Sequence, residues 1–400
     1  MPPTEPGAET GLGIGIFTDS YRPYTSGVVH SIEIFARHLR ALGHRVYIFA
    51  PSYPNCAPEE GVFRFWAIPA PTQREFSLAL PLSLTIGATV RRLGLDVIHV
   101  HSPFLLGRLG ARVARRFGLP LVFTYHTLYE KYVHYVPFFQ GLSRRIVRRY
   151  TRAFCNQCDL VIAPTAPIAD LLRQQGVNAP LAVIPTGIEL AAFQGLDRTW
   201  LRRRYSLPPE ARILLYVGRL GREKNLGFLL QSFARLRNQA ALGPLKLVLI
   251  GGGAAAGEVA RQVKDLGLQQ DVVLTGTLPK EEVARCYAGA DLFVFASLTE
   301  TQGLVLAEAK AAGLAVVAVD ASGVREMVLD GEDGYLTPLS LDTFTERVAA
   351  LLRDDAKRLA MGERARENVR PYAARETTLR LAEHYRLLVA AKAHRLEKAV

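Results

Sequence analysis

The chain is poor in cysteine, with four in 400 residues: Cys56, Cys155, Cys158 and Cys286. So few thiols exclude a disulfide-stapled secreted scaffold. Cys155 and Cys158 form a lone C-x-x-C with no second pair to complete a zinc site. In "FCNQCDLVIAPT" the pair sits between a basic helical run and an apolar run, and it reads as a packed helix–strand turn. No stretch reaches the roughly 18 apolar residues of a membrane-spanning helix. The opening "MPPTEPGAETG" has no apolar core of the kind a secretory signal needs. Dinucleotide loops are missing as well. Gly11, Gly13 and Gly15 precede or lie inside the first apolar run, and "GGGAAAG" (251–257) has the wrong spacing, so a nicotinamide cofactor is not expected. No D-x-D triplet occurs, which removes the usual acidic bridge between a metal and a diphosphate. Acidic residues are also scarce: 37 Asp+Glu against 49 Lys+Arg give a net charge of +12. Such a balance fits nucleic acid, an anionic membrane surface or phosphorylated substrates, without choosing among them.

What is present is a regular alternation. "LGIGIFTD" (12–19) reads as a buried strand and 28–43 as a helix stopped by Gly43. "RVYIFAP", "LDVIHVHS" (95–102), "PLVFTYH" (120–126), "DLVIAPT" (159–165) and "LAVIPTGIEL" (181–190) follow as further strands with helical sequence between them. The charged segment "DRTWLRRRYSLPPE" breaks the period and reads as a linker. The alternation restarts at 211–218, 245–251, 271–276, 291–297 and 314–320, and helical pattern fills 340–400. Strands alternating with helices imply parallel sheets covered on both faces. The expected fold is therefore α/β, with two Rossmann-like, doubly wound parallel-sheet domains facing a cleft. We place the first at 1–190 and the second at 191–375, with a last helix at 376–400 packing back on the first. Ligands in such sheets bind beyond the carboxyl ends of the strands.

Several residues stand at those ends. Gly27 precedes the first helix, where it is either a tight turn or a place for phosphate to approach. His99 and His101 share a strand face, but no third metal ligand is evident, and His126 ends a strand. In "YVGRLGREKN", Arg219 and Lys224 are two cations that suit a diphosphate or simply face solvent. "TETQGLVLAEA" carries Glu300 and Glu308, eight residues apart, across a strand-to-helix turn. If the helix begins near Gln302, Glu300 precedes it and Glu308 lies in its second turn. Each carboxylate can accept from a vicinal pair of hydroxyls, or can serve as a cap or a surface acid.

Taken together, these segments resemble the retaining GT-B glycosyltransferases of family 4, from "IGIFTDSYRPYTSGVVHS" to "EDGYL". Glu300–Glu308 stands as the E-x7-E pattern of that family, and "GRLGREKN" as its Gly-Arg…Lys loop. The resemblance implies that Glu308 binds the ribose hydroxyls of a nucleotide sugar and Glu300 the transferred sugar. Arg219 and Lys224 are implied to neutralise the diphosphate. The amides near Thr301, Gln302, Gly303 and Leu304 are implied to contact phosphate or sugar, Gly27 the diphosphate, and His126 the sugar at the reaction centre. Gln302 stands where an aromatic is commoner, which leaves the sugar open. Within the family, "GIFTDSYRPYTSGVVHSI", "FTYHTLYEKYVHYVP" and "SLTETQGL" look like bacterial 1,2-diacylglycerol 3-α-glucosyltransferases. That implies a UDP-hexose donor (glucose or galactose), a diacylglycerol acceptor, no cofactor and no catalytic metal.

The basic residues fit a lipid acceptor. "EFSLALPLSLTIGATVRRLG" (75–94) ends in Arg91 and Arg92. "GLSRRIVRRYTRAF" (141–154) places Arg145, Arg148, Arg149 and Arg152 along one helical face, beside Arg144. Such a face attracts anionic headgroups, or is only solvated. The expected location is cytoplasmic, peripheral on the inner face of the cell membrane. A family 4 enzyme with a soluble sugar, polyol or phosphoinositol acceptor is the first alternative. A non-catalytic nucleic-acid-binding protein is the second, and it would leave Glu300 and Glu308 without a role.

Overall fold

A computed structural model describes residues 11–54, 56–70, 73–128, 140–321 and 323–397. The chain divides into two compact units, Met1–Gly187 with Ala374–Val400, and Ile188–Ala373.

The first unit is built on strands β1 (Gly13–Phe17), β2 (Arg45–Pro51) and β3 (Val62–Phe65), the hairpin strands β4 (Ala67–Ala70) and β5 (Gln73–Ala79), then β6 (Val97–Val100), β7 (Leu121–Thr124), β8 (Leu160–Ala163) and β9 (Leu181–Val183). Seven of them form one parallel sheet in the order β3-β2-β1-β6-β7-β8-β9. β1, β6, β7 and β8 are buried along their whole length, which is why they read as largely apolar runs, with His99 in β6 and Thr124 in β7 as the polar exceptions. The helices α1 (Gly27–Ala41), α2 (Ile86–Leu93), α3 (Leu105–Phe117), α4 (Gln140–Cys155) and α5 (Ala166–Gln174) connect them. α1 starts where Ser26 accepts a hydrogen bond from the Val29 amide at 3.3 Å. The expected strand over 181–190 shrinks to three residues, because Pro185 and Gly187 interrupt it. β3 and the antiparallel β4–β5 hairpin were not expected from the sequence.

The second unit holds α6 (Trp200–Arg204), β10 (Arg212–Val217), α7 (Leu226–Arg237), β11 (Leu245–Ile250), α8 (Ala256–Asp265), β12 (Val272–Gly276), α9 (Lys280–Gly289), β13 (Leu292–Phe295), α10 (Leu304–Ala311), β14 (Val316–Val319), β15 (Gly334–Thr337), α11 (Leu341–Arg353) and α12 (Asp355–Asn368). Its six strands are parallel in the order β12-β11-β10-β13-β14-β15. The last helix, α13 (Ala374–Glu397), belongs to the first unit, where Leu381, Ala382 and Tyr385 pack with Ile32, Phe35 and Leu39.

The doubly wound α/β organisation read from the alternation is the one adopted. Each sheet reverses its winding once, between β1 and β6 in the first unit and between β10 and β13 in the second. At such a switch point the loops diverge to opposite faces and leave a crevice at the carboxyl ends. No helix among the described residues is long and apolar enough to cross a membrane.

Candidate active site

In the second unit, β10 ends at Val217 and the chain turns through Gly218 and Arg219 into a short 3-10 turn, Arg222–Lys224. Tyr216, buried in the sheet, donates its hydroxyl to the Arg219 carbonyl at 3.2 Å and so ties the loop to its strand. The Arg219 guanidinium donates to Glu223 at 2.5 Å. Across the switch point, β13 ends at Phe295 and runs through Ser297 to Glu300. The Lys224 ammonium donates to Glu300, and both side chains are largely shielded, at 15% and 17% exposure. Two of the residues picked from separate segments of the sequence are thus one ion pair. It spans the loops after β10 and β13, at the position where a doubly wound sheet takes its ligand.

α10 begins at Leu304, two residues later than expected. The cause is Gly303, whose φ of +74° is left-handed and forms the cap. The amides of Thr301, Gln302 and Gly303 therefore lie in the loop ahead of the helix, and Gln302 is buried. Gly323 is fixed by close approach: a Cβ there would lie 2.4 Å from the Glu300 carbonyl oxygen. Gly323 thus packs directly against the backbone of Glu300.

Glu308 lies in the second turn of α10. Its Oε2 accepts from the Tyr287 hydroxyl at 2.9 Å. Removal from water pushes the Glu308 carboxyl up to about 7, although the Tyr287 bond and the Lys280 charge pull it down. A carboxylic acid near neutrality in a rim position is a functional candidate. Tyr287 was missed in the sequence, where it is one aromatic residue near the end of the helical run before β13.

In the first unit, Gly27 is the first residue of α1 and is exposed. A Cβ at Gly27 would meet nothing within 4 Å among the described residues, and its φ is not left-handed. The fold itself therefore does not demand glycine there. At the switch point between β1 and β6, Asp19 is buried and accepts from the Leu106 amide at 2.7 Å and from the Ser102 hydroxyl. Neither Asp19 nor Ser102 had been singled out. Asp19 joins the end of β1 to the start of α3.

The three strand-end histidines lie side by side in one layer. His99 and His101 have ring centroids 4.2 Å apart, and His101 and His126 5.0 Å. His99 Nδ1 bonds the Tyr385 hydroxyl at 2.5 Å and its Nε2 bonds Thr124 at 2.7 Å. His101 Nδ1 and His126 Nε2 are 2.7 Å apart, so one donates and the other accepts. Burial holds His99 and His126 down to about 3 and His101 well below its usual range, so the layer is neutral at physiological pH. Among the described residues no group of His, Cys, Asp and Glu side chains is placed to hold a metal ion.

Cys155 and Cys158 are buried and reduced. Burial pushes the Cys155 thiol up to about 12 and Cys158 well above its usual range, so neither supplies a thiolate. The described basic residues of α2 and α4 lie on the surface. Arg91 and Arg92 are exposed in the last turn of α2. Arg145, Arg148, Arg149 and Arg152 are exposed on α4, with Ile146 58% exposed beside them. The opposite side of α4 is anchored by Tyr150, whose ring stacks on Phe104 and whose hydroxyl donates to the Pro103 carbonyl at 2.5 Å. The segment of "FTYHTLYEKYVHYVP" from 129 on and the side chain of Arg144 lie outside the described residues.

Two Rossmann-like sheets, with acids and cations gathered at the switch point of the second, are the build of a GT-B glycosyltransferase. Residues 25–192 match the family model described as Glycosyltransferase Family 4, and residues 197–368 match the one described as Glycosyl transferases group 1. The chain belongs to this glycosyltransferase family. Over 347 residues it is 33% identical to the alpha-monoglucosyldiacylglycerol synthase of Streptococcus pneumoniae, covering 81% of this chain and 75% of the relative. It is 27% identical over 392 residues to a GDP-mannose-dependent alpha-mannosyltransferase of Corynebacterium glutamicum, covering 95% and 90%. Among solved structures, Anabaena HepE in complex with UDP-glucose superposes with a TM-score of 0.74 at 20% identity, covering 93% of this chain and 98% of that one.

Proposed function

We propose that the protein is a retaining α-hexosyltransferase that moves glucose or galactose from a UDP-sugar to 1,2-diacylglycerol at the cytoplasmic membrane surface. The observation that carries the donor half is the Lys224–Glu300 pair at the switch point of the second sheet, with Glu308 one helical segment further on. Glu308 accepts from the ribose hydroxyls and Glu300 from the transferred hexose. Arg219 and Lys224 take the diphosphate. The Lys224 ammonium, which donates to Glu300, brings positive charge to the diphosphate as negative charge develops on the leaving group. The loop amides around Thr301, Gln302, Gly303 and Leu304 contact phosphate or sugar. Gly27, where the fold leaves room, admits the diphosphate, and neutral His126 donates or accepts at the hexose. No cofactor or metal ion is required in this reading. Positive side chains and backbone amides do the work of a divalent cation.

The name of the Streptococcus relative and the exposed arginines of α2 and α4 support the lipid acceptor and the peripheral membrane location. HepE, solved with UDP-glucose, supports a uridine nucleotide. The Corynebacterium relative, a GDP-mannose enzyme, marks the alternative in which the family machinery serves another donor or a soluble acceptor. The test is Glu308→Ala. Its UDP-sugar turnover should vanish while its circular dichroism stays that of the wild type; undiminished turnover refutes the assignment.

A further inference from the structure

Glu308 is held by a residue on a different helix. Tyr287, in the last turn of α9, is fully buried, and its ring is packed by Phe193 at 5.8 Å and Phe293 at 5.7 Å. Its hydroxyl reaches α10, 2.9 Å from Glu308 Oε2 and 3.2 Å from the Val305 carbonyl oxygen. One proton faces two acceptors, and the nearer, the Glu308 carboxyl oxygen, takes it. A glutamate on a helix has three side-chain torsions to lose on ordering, more than most residues. Here one carboxylate oxygen accepts from a phenol whose ring is buried and packed against two other aromatic rings. Burial also keeps the Tyr287 phenol protonated, well above its usual range, so it remains a donor at any working pH. With Oε2 accepting from Tyr287, Oε1 and the second lone pair of Oε2 are left in a fixed orientation. Two acceptor sites held in that way match a vicinal pair of hydroxyls.

We propose that Tyr287 is a positioning residue that orients Glu308 toward the ribose diol and so makes the site selective for ribonucleotide over 2′-deoxyribonucleotide donors. This rests on the donor reading given above. A 2′-deoxy ligand leaves one of the two oriented acceptor sites of the half-buried Glu308 without its hydroxyl. Without the phenolic proton the carboxylate turns freely, and the cost of missing one hydroxyl falls.

The test uses the full chain and two ligands that differ by one hydroxyl, UDP and 2′-deoxy-UDP, titrated calorimetrically. The wild type should bind UDP about tenfold more tightly than 2′-deoxy-UDP. Tyr287→Phe, which keeps the ring and its packing, should weaken UDP binding about tenfold, leave 2′-deoxy-UDP nearly unchanged, and bring the ratio close to one. Glu308→Asp, which keeps the charge but draws the carboxylate away from Tyr287, should lose the ratio too. Glu308→Ala should lose it entirely. A wild-type ratio in Tyr287→Phe or Glu308→Asp, with the ratio lost in Glu308→Ala, overturns the positioning role and leaves the donor reading intact. Wild-type UDP affinity in Glu308→Ala, or no binding of UDP by the wild type, overturns the donor reading and the positioning role with it. A drop in melting temperature alone, with the ratio kept, shows that Tyr287 only packs.

Discussion

Donor binding should depend on pH through Glu308, and the size of the effect follows from its surroundings. The carboxyl is pushed up to about 7 from an ordinary value of 4.5, with burial as the leading cause. The ionised form offers both oxygens as acceptors to two hydroxyls, whereas protonation turns one of them into a donor. The sign is that of a raised acid: the binding-competent form is present above 7 and is lost as pH falls through it. Affinity for UDP-glucose should be level above about pH 8, halve near 7, and fall about tenfold per pH unit below, a loss of about 1.4 kcal/mol by pH 6. Binding at pH 7 should release up to about half a proton, measurable by calorimetry in buffers of different ionisation enthalpy. UDP-glucose is the right ligand because its diphosphate is a diester, whereas the terminal phosphate of free UDP titrates near 6. His126, held down to about 3, stays neutral across this window and adds nothing to the slope. Glu308→Gln should bind more weakly with a flat profile. A flat profile in the wild type, or a slope that survives in Glu308→Gln, refutes the reasoning.

Further expectations concern the loops, the core and the surface. Lys224→Ala should lower UDP-sugar turnover about a hundredfold without unfolding the chain, since it removes one charged donor at the leaving group; steady-state kinetics reads this directly. Lys310, buried in α10, pairs with Asp333 at 2.7 Å and donates to the Met327 carbonyl at 2.7 Å. Lys310→Ala leaves Asp333 buried without its counter-charge and should cost about 3–5 kcal/mol in urea denaturation. Replacing Arg145, Arg148, Arg149 and Arg152 with Ser should weaken binding to anionic vesicles by up to about 1 kcal/mol per arginine, and the effect should shrink in high salt. Unchanged co-sedimentation means that the face of α4 is only solvated.

The strands were legible where burial on both faces makes an apolar run: "ILLYV" in β10 and "LFVF" in β13 lie in the middle of their sheet and carry no polar residue. β3 and β15 were not, because each is a four-residue edge strand with neighbours on one side only. The β4–β5 hairpin was hidden by Pro69 and by a stretch whose apolar residues suit a helix or a strand equally. Glu300 and Glu308 stood out because they bracket a glycine at a strand-to-helix turn. Their partners did not. Lys224 and Glu300 are 76 positions apart, and Tyr287 and Glu308 21, so the pairing exists only once the sheet brings β10 beside β13 and α9 beside α10. The histidine layer was visible as strand-end residues, yet its neutral state comes from burial, and its link to Tyr385 spans 286 positions.

The most direct measurement is of the product. The protein is incubated with labelled UDP-glucose or UDP-galactose and diacylglycerol in anionic mixed micelles, the lipid is extracted, and the sugar and its anomeric configuration are read by NMR. The expected product is an α-linked monohexosyl diacylglycerol, absent with Glu308→Ala. A lipid fraction without label, while a soluble sugar, polyol or phosphoinositol acceptor becomes labelled, or a β-linked product, contradicts it.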